Sequence, residues 1–171
     1  MEQRYFIGIT LPKDLSQTIA ITQQELFMPH KILTPLAPHI TLLEPKLLQT
    51  IPLDMLIPQV RKAAETILPI QVTLTDIDCF NKHVLYIAAQ GSKLHTLREQ
   101  LLDLLLTTPA NNRPFRPHVT LAQTKPNQIL TDTLIMSYRD KIEPLLPISF
   151  TISRLVYFQW VHPRTYALYE I

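Results

Sequence analysis

The chain has 171 residues, of which 46% are hydrophobic and 18% are charged. This length and apolar content are typical of one globular domain and exclude a disordered chain, so we predict a single domain over residues 1–171. Sixteen lysines and arginines against fourteen acidic residues give a formal net charge of only +2. We therefore expect no binding along long double-stranded nucleic acid, although a local basic site is compatible with this count.

The low numbers of glycine and cysteine exclude several common kinds of site. Gly8 and Gly91 are too far apart to form a glycine-rich phosphate loop or the turn of a GxSxG nucleophile. Cys79 is the one cysteine, which excludes an internal disulfide and a multi-cysteine metal centre. The sequence also has no HExxH motif. We therefore expect no metal and no cofactor.

The N-terminal segment predicts no export. Met1 is followed by a charged stretch rather than by the apolar core of a signal peptide, and no apolar run reaches membrane length. The single cysteine is also typical of a reducing compartment. We therefore expect a cytoplasmic protein without a membrane partner.

Hydrophobic patterning predicts alternating strands and helices along the chain. Strands are predicted for short β-branched and aromatic runs, at 5–11, 39–43, 70–80, 84–89, 118–122, 148–153, 155–160 and 166–171. Helices are predicted where apolar residues recur every three or four positions, at 53–68, 92–106 and 131–142, and in a first helix that Asp14 or Ser16 caps and that runs to about Phe27. Pro58 marks an interruption or a late start of its helix, and Pro29 is predicted to lie in a loop.

A repeat is hidden in this order of elements. A strand, a helix and a proline-rich loop lead to the tetrapeptide HITL at 39–42, and the same succession leads to HVTL at 118–121. The distance from the strand to its histidine is about 33 residues in both halves, as in a duplicated supersecondary unit. Two such halves would bring the tetrapeptides face to face across a pseudo-two-fold axis.

Each tetrapeptide predicts a buried strand that presents one imidazole and one hydroxyl. Residues i and i+2 of a strand share a face, so His39 points with Thr41 and His118 points with Thr120, while the aliphatic residues face the core. Two opposed imidazoles can act as acid and base, and two hydroxyls can donate hydrogen bonds to phosphoryl oxygens. These groups suit attack on a phosphodiester without a metal.

The paired tetrapeptides resemble the signature of a known superfamily. Their separation of about eighty residues and the opening run RYFIGITLP at 4–12 are similar to the two-histidine (2H) phosphoesterases. Within that superfamily the chain resembles the 2′-5′ RNA ligase-like, or RNA 2′,3′-cyclic phosphodiesterase, family. The segments RPFRPHVTLA at 113–122 and YALY at 166–169 are similar to its second motif and its final strand. The similarity covers nearly the whole chain.

The resemblance implies an α+β fold and a hydrolase activity. The fold would be bilobal, with two pseudo-symmetric βαβ-containing halves, antiparallel sheets that flank a central cleft, and helices outside. The enzyme would be a monomer that hydrolyses the 2′,3′-cyclic phosphate ends of RNA, or small cyclic nucleotides, to 2′-phosphates, and reverse 2′-5′ ligase activity stays open. By the same resemblance His39 and His118 are the catalytic pair, and Thr41 and Thr120 bind phosphate. The family pattern makes His118 the base and His39 the acid, although pseudo-symmetry allows these roles to be exchanged.

The chain departs from the family pattern just after the second tetrapeptide. The family commonly has an arginine where this chain has Gln123. Three arginines are candidates to replace that charge near the phosphate, with a solvated loop position as the alternative: Arg113, Arg116 and Arg164. Three aromatic residues are candidates for stacking on a base, with core packing as the alternative: Phe115, Trp160 and Tyr166. Trp160 also alternates with Val156 and Phe158 along one strand face, which favours the core.

Two other functions stay open at the level of sequence. One is a nucleotide- or RNA-binding module that keeps the cleft without turnover, and both intact tetrapeptides favour an enzyme over it. The other is a phosphodiesterase for 2′-5′ oligoadenylates or cyclic oligonucleotide signals, and the sequence does not separate these substrates from RNA ends.

Overall fold

The computed structural model describes residues 5–30, 37–105, 114–125, 127–162 and 165–171, with the backbone alone at 27–30, 161–162 and 165–166. The described strands are β1 (Tyr5–Thr10), β2 (His39–Leu43), β3 (Ile70–Phe80), β4 (Val84–Gln90), β5 (His118–Gln123), β6 (Ile148–Ile152), β7 (Val156–His162) and β8 (Thr165–Glu170). The helices are α1 (Lys13–His30), α2 (Pro45–Leu48), α3 (Leu53–Ile67), α4 (Ser92–Leu104) and α5 (Asp132–Ile142), with a 3₁₀ turn at Glu143–Leu145.

The strands form one antiparallel sheet in the order β6-β3-β4-β5-β2-β1-β7-β8. Four strands lie on each side of its centre, and each half contains one β-α-β succession that ends in a central strand. The two central strands, β2 and β5, pair at a single position, Ile40 opposite Val119. The α+β fold and its pseudo-symmetry are therefore as predicted, and the two sheets expected from the sequence are joined at this one pair.

The core explains why the tetrapeptides form strands. Their aliphatic residues are completely buried, so each central strand is anchored from the face that does not carry the histidine: Ile40, Leu42, Val119 and Leu121. Helix α4 packs its predicted apolar face inwards through Leu94, Leu97 and Leu101. Burying such side chains contributes roughly 1.5–3 kcal/mol each, which fixes the backbone on which the histidines stand.

A turn joins β3 and β4, which correspond to the strands predicted at 70–80 and 84–89. Asn81 and Lys82 have positive φ angles of 49° and 56°. Asparagine tolerates this left-handed region because its short side chain bonds locally, and the turn lets the two longest neighbouring strands pair.

Four details of the sequence prediction are wrong. Helix α1 begins at Lys13, before Asp14 and Ser16, because the carbonyl of Pro12 accepts from the N–H of Ser16 (2.8 Å) and closes the first turn. Pro29 lies inside the last turn of α1 rather than in a loop, and the helix ends one residue later, as is expected after a proline that removes a backbone donor.

Pro58 neither interrupts nor delays α3. The missing N–H removes one hydrogen bond, and the buried face of the same helix offsets that loss through Leu56, Val60, Ala63, Ala64 and Ile67. Trp160 is 38% exposed, whereas Val156 and Phe158 on the same strand are buried as predicted. The core ends before Trp160 along β7.

Candidate functional site

The two predicted histidines have matching main-chain environments. Nδ1 of His39 lies 2.7 Å from the carbonyl oxygen of Ala37, and Nδ1 of His118 lies 2.6 Å from that of Arg116. A carbonyl oxygen only accepts, so Nδ1 is the donor in both rings and the neutral imidazole has its lone pair at Nε2. Each histidine is thus held by the residue two positions before it, in the same tautomer.

Aromatic rings fix the orientation of both imidazoles. His39 lies 5.0 Å from Phe6 and 4.9 Å from Phe158 between ring centroids, and those two phenyl rings stack on each other at 4.5 Å. His118 lies 5.3 Å from Phe80 and 5.1 Å from Tyr86 in edge arrangements. Phe80 and Tyr86 also stack on each other at 4.1 Å, so each imidazole packs against one stacked aromatic pair, and this contact restricts rotation of the imidazole.

Burial lowers the pKa of both imidazoles. For His39 desolvation is the largest cause; the hydrogen bond to Ala37 opposes it, and the charge of His118 lowers the pKa further. For His118 desolvation again dominates and the hydrogen bond to Arg116 opposes it. Both rings therefore favour the neutral form, and protonating one makes it harder to protonate the other.

The register of the central strands places each histidine near the threonine of the other tetrapeptide. Ile40 lies opposite Val119 in an antiparallel pair, and extending this register by one residue makes His39 correspond to Thr120 and Thr41 to His118. All four side chains are half-buried, whereas the aliphatic residues between them are fully buried. The four residues that the sequence analysis singled out therefore stand on two neighbouring strands; Thr41 and His118 line the cleft described next, and His39 and Thr120 are not among its lining residues.

A cleft of about 750 Å³ opens beside this group. Ten residues line it: Thr41, Glu44, Phe80, Asn81, Val84, Arg98, Pro114, Phe115, Arg116 and His118. Phe115 and Arg116, two of the candidate contact residues, are therefore at the cleft. Its volume exceeds that of a phosphate group and is in the usual range for small-molecule sites.

The two halves of the site differ in polarity. The hydroxyl of Tyr86 donates to Oδ2 of Asp78 (3.0 Å), and burial followed by this hydrogen bond raises the pKa of Tyr86, while the nearby charge of Arg116 acts in the opposite direction. The rings that surround His39 are phenylalanines. The phenol next to His118 is therefore linked to a carboxylate and lies near a guanidinium, whereas both rings next to His39 are apolar.

The remaining candidate residues either do not line the described cleft or lie outside the described residues. Trp160 lies on β7 opposite Tyr166 of β8 and is not among the residues that line the described cleft. The side chain of Tyr166, and Arg113 and Arg164 as a whole, lie outside the described residues. Gln123 ends β5 and is exposed.

Two charged residues of the cleft, Arg98 and Glu44, were missed by the sequence analysis. Arg98 is only 8% exposed; its Nη1 donates to the carbonyl of Leu42 and to Oε2 of Glu44 (3.1 Å), and its guanidinium lies 4.7 Å from the centroid of Phe115. The signal was an arginine placed between apolar residues on the buried face of α4. Arg98 supplies a guanidinium at the cleft, in a chain that has glutamine at the family's arginine position.

The described residues contain neither a metal-binding cluster nor a membrane-spanning helix. In the ranges given above there is no group of three or more histidine, cysteine or acidic side chains that could hold a metal ion. None of the helices in this part of the chain is long and apolar enough to cross a bilayer.

A model of the 2′-5′ RNA ligase superfamily matches residues 13–163. The chain therefore belongs to this superfamily of 2H phosphoesterases, a group of phosphoesterase and ligase-like enzymes. A comparison of the sequence with curated proteins gives no significant match.

Solved structures share the fold. E. coli LigT complexed with 3′-AMP is 19% identical with a TM-score of 0.63, and the match covers 99% of this chain and 95% of LigT. TT0787 of Thermus thermophilus is 16% identical with a TM-score of 0.66, covering 98% and 94%. Usb1 of Kluyveromyces marxianus is 14% identical with a TM-score of 0.53, covering 98% and 96%. Other structures of E. coli LigT are complexes with phosphate, ATP and NADP+.

Proposed function

We propose that the protein is a metal-independent phosphodiesterase that hydrolyses the 2′,3′-cyclic phosphate of an RNA end or a small cyclic nucleotide to a 2′-phosphate. The observation that carries the proposal is the matched pair of imidazoles: both donate from Nδ1 to a carbonyl two residues earlier, on two neighbouring strands that pair through Ile40 and Val119. Because Nδ1 is bonded to a carbonyl in both rings, Nε2 is the nitrogen that is left to exchange a proton with water or substrate.

The proposed reaction uses the four side chains as follows. Nε2 of one histidine takes a proton from water while the water oxygen attacks phosphorus. The bond from phosphorus to the 3′ oxygen breaks, and that oxygen takes a proton from Nε2 of the other histidine. The product is a 2′-phosphate with a free 3′ hydroxyl, and the family pattern gives the base role to His118 and the acid role to His39. Thr41 and Thr120 donate hydrogen bonds to the phosphoryl oxygens.

The rest of the cleft supports a nucleotide as the substrate. Next to Thr41 and His118 it offers the ring of Phe115 and the carboxylate of Glu44, which Arg98 holds on one oxygen. A base can stack on an aromatic ring, and its amino groups or a sugar hydroxyl can donate to a carboxylate. The complexes of E. coli LigT with 3′-AMP and ATP support the same class of ligand.

The decisive experiment is a panel of substrates in EDTA with wild-type protein and three variants. The panel contains 2′,3′-cyclic mononucleotides, RNA with a cyclic phosphate end, 2′-5′ oligoadenylate and cyclic dinucleotides. His39→Ala and His118→Ala are expected to lose at least about a hundredfold in kcat with an unchanged circular dichroism spectrum. His83→Ala is the matched control because this half-buried histidine bonds the hydroxyl of Thr124 (3.2 Å) and lies outside both tetrapeptides.

The product and the panel decide among the alternatives. Release of a 2′-phosphate from cyclic-phosphate substrates supports the proposal, and full activity in either histidine variant contradicts it. Turnover only of 2′-5′ or cyclic oligonucleotides would make the protein a different phosphodiesterase. Tight binding of 3′-AMP without turnover of any substrate would make it a binding module.

A further inference from the structure

The junction between the two halves of the sheet is narrow. β2 and β5, which carry the two histidines, pair only at Ile40 and Val119, whereas each is bound to its outer neighbour over four or more positions. The separation of the histidines depends on the angle between β2 and β5. One bridging pair leaves that angle poorly determined by the sheet itself.

A side chain from the first half reaches the central strand of the second half. Gln23 lies on α1 and is 2% exposed. Its Nε2 donates to the carbonyl of Thr120 (3.1 Å) and to that of Leu121 (3.2 Å), both in β5. Gln23 therefore ties the first helix to the main chain at the phosphate-binding threonine of the opposite half.

A side chain from the second half makes the reciprocal contact. Arg98 lies on α4, and its Nη1 donates to the carbonyl of Leu42 in β2 while it also pairs with Glu44. Leu42 and Leu121 are the corresponding last residues of the two tetrapeptides. Each helix thus holds, through one buried polar side chain, the central strand of the other half.

The burial of these donors makes the contacts rigid. An amide or a guanidinium that is removed from water must keep its hydrogen bonds, because leaving one unmade costs more than the bond contributes. The carbonyls they hold belong to, or directly follow, the threonines that face the histidines. A shift of either carbonyl is therefore a shift of the phosphate site.

We propose that Gln23 and Arg98 are a reciprocal pair of positioning residues that hold β2 and β5 at the angle required for both histidines to act on one phosphate. This inference depends on the proposed phosphodiesterase activity for its kinetic test. It adds to that function two sets of hydrogen bonds, one made by Gln23 outside the cleft and one made by Arg98 on the cleft wall.

The kinetic test compares Gln23→Met and Arg98→Met with two matched controls. Thr22→Val changes the adjacent buried residue, whose hydroxyl bonds Thr18 within α1 (3.1 Å). Arg139→Met removes an arginine that likewise donates to a carbonyl and to a glutamate. The carbonyl is that of Ile77 (2.8 Å), which lies on β3 rather than on a central strand. The readouts are Tm, kcat and KM for a 2′,3′-cyclic mononucleotide.

We expect Gln23→Met and Arg98→Met to lower kcat about ten- to a hundredfold with a smaller change in KM, because misplacement of catalytic groups costs this much. The controls should stay within about twofold in kcat at a comparable loss of Tm. Arg98→Lys, which keeps a donor for the Leu42 carbonyl, should recover part of kcat. Where Arg98→Met does not fold, Gln23→Met against Thr22→Val makes the comparison alone. A kcat loss no larger than in the controls at equal Tm loss would overturn the proposal.

A binding measurement separates this inference from the proposed function. Inorganic phosphate is titrated into the protein while the Cε1 protons of His39 and His118 are followed by NMR. In the wild type both signals should shift with one dissociation constant, and in Gln23→Met and Arg98→Met that constant should rise at least about fivefold. An unchanged constant overturns the positioning role even if no cyclic nucleotide is hydrolysed, whereas failure of turnover alone contradicts only the activity.

Discussion

Gly8 lies opposite Thr41 in the ladder between β1 and β2, at the position that corresponds to Tyr86 opposite Thr120 in the second half. A Cβ atom on Gly8 would lie 2.7 Å from the carbonyl oxygen of Ile40 and 3.3 Å from Cε2 of Phe158. Glycine is therefore required by the close approach of the neighbouring strand. The two halves share this backbone arrangement, but the second half has the phenol of Tyr86 where the first half has a glycine.

Substitution Gly8→Ala is expected to impair both stability and activity. The displaced oxygen belongs to Ile40, which lies between His39 and Thr41, so any backbone shift that relieves the overlap moves the site. We expect a loss of about 1–3 kcal/mol in the free energy of unfolding and at least about a fivefold loss of kcat, because misplaced groups reduce rate steeply.

Gly91→Ala is the matched control for that prediction. Its Cβ would lie 2.8 Å from the carbonyl oxygen of Gln71, a comparable overlap on β3, away from the histidine strands. Urea denaturation and steady-state kinetics of both variants make the comparison. Equal losses of kcat in both would mean that Gly8 has no special relation to the site.

The pH dependence of activity follows from the burial of the histidines. In the proposed mechanism one imidazole is neutral and the other protonated, so kcat/KM should be bell-shaped with a maximum between the two pKa values of the pair. Burial lowers the pKa of both below the ordinary value of about 6.5. The maximum should therefore lie below about pH 6.5, with activity falling towards pH 8 as the acid loses its proton.

The profile is measured as kcat/KM for a cyclic mononucleotide between pH 4.5 and 9 in EDTA at constant ionic strength. His83→Gln serves as the control and should leave the shape of the curve unchanged. A plateau from pH 7 to pH 9 would contradict the assignment of an acid-base pair to His39 and His118.

The sequence predicts the strands that carry the site well, for a physical reason. In HITL and HVTL the alternation of polar and aliphatic residues fixes which face is buried, and the structure buries Ile40 and Val119 completely. The cross-half contacts of Gln23 and Arg98 were not predictable, because they depend on how helices lie over strands distant in the chain. Each contact still has a weak signal in the sequence, because its polar residue lies four positions after an apolar residue on a buried helix face. Gln23 follows Ile19 in this way, and Arg98 follows Leu94.

Phe115 is expected to contribute to binding rather than to the chemical step. It is half-buried at the cleft, with Arg98 over its ring and His95 at its edge (5.2 Å). Loss of a base-stacking ring costs about 1–3 kcal/mol. Leucine keeps part of the apolar contact, so Phe115→Leu should lose an amount at the lower end of this range and raise KM for a cyclic mononucleotide roughly five- to tenfold with little change in kcat.

Phe150→Leu is the control because Phe150 is another half-buried phenylalanine, on the outer strand β6. Initial rates over a range of substrate concentrations separate KM from kcat for both variants. An unchanged KM in Phe115→Leu, or an equal rise in Phe150→Leu, would remove Phe115 from the nucleotide site.

Tyr138 offers a stabilising substitution away from the site. Its side chain on α5 is fully buried, its hydroxyl has no hydrogen-bond partner among the described residues, and burial raises the pKa of the phenol. A buried hydroxyl without a partner carries a desolvation cost of about 1–3 kcal/mol, and phenylalanine fills the same volume without that cost. Tyr138→Phe should therefore raise Tm by a few degrees and leave kcat and KM unchanged, as measured by thermal unfolding and kinetics. A lower Tm would show that the hydroxyl contributes an interaction that stabilises the folded state.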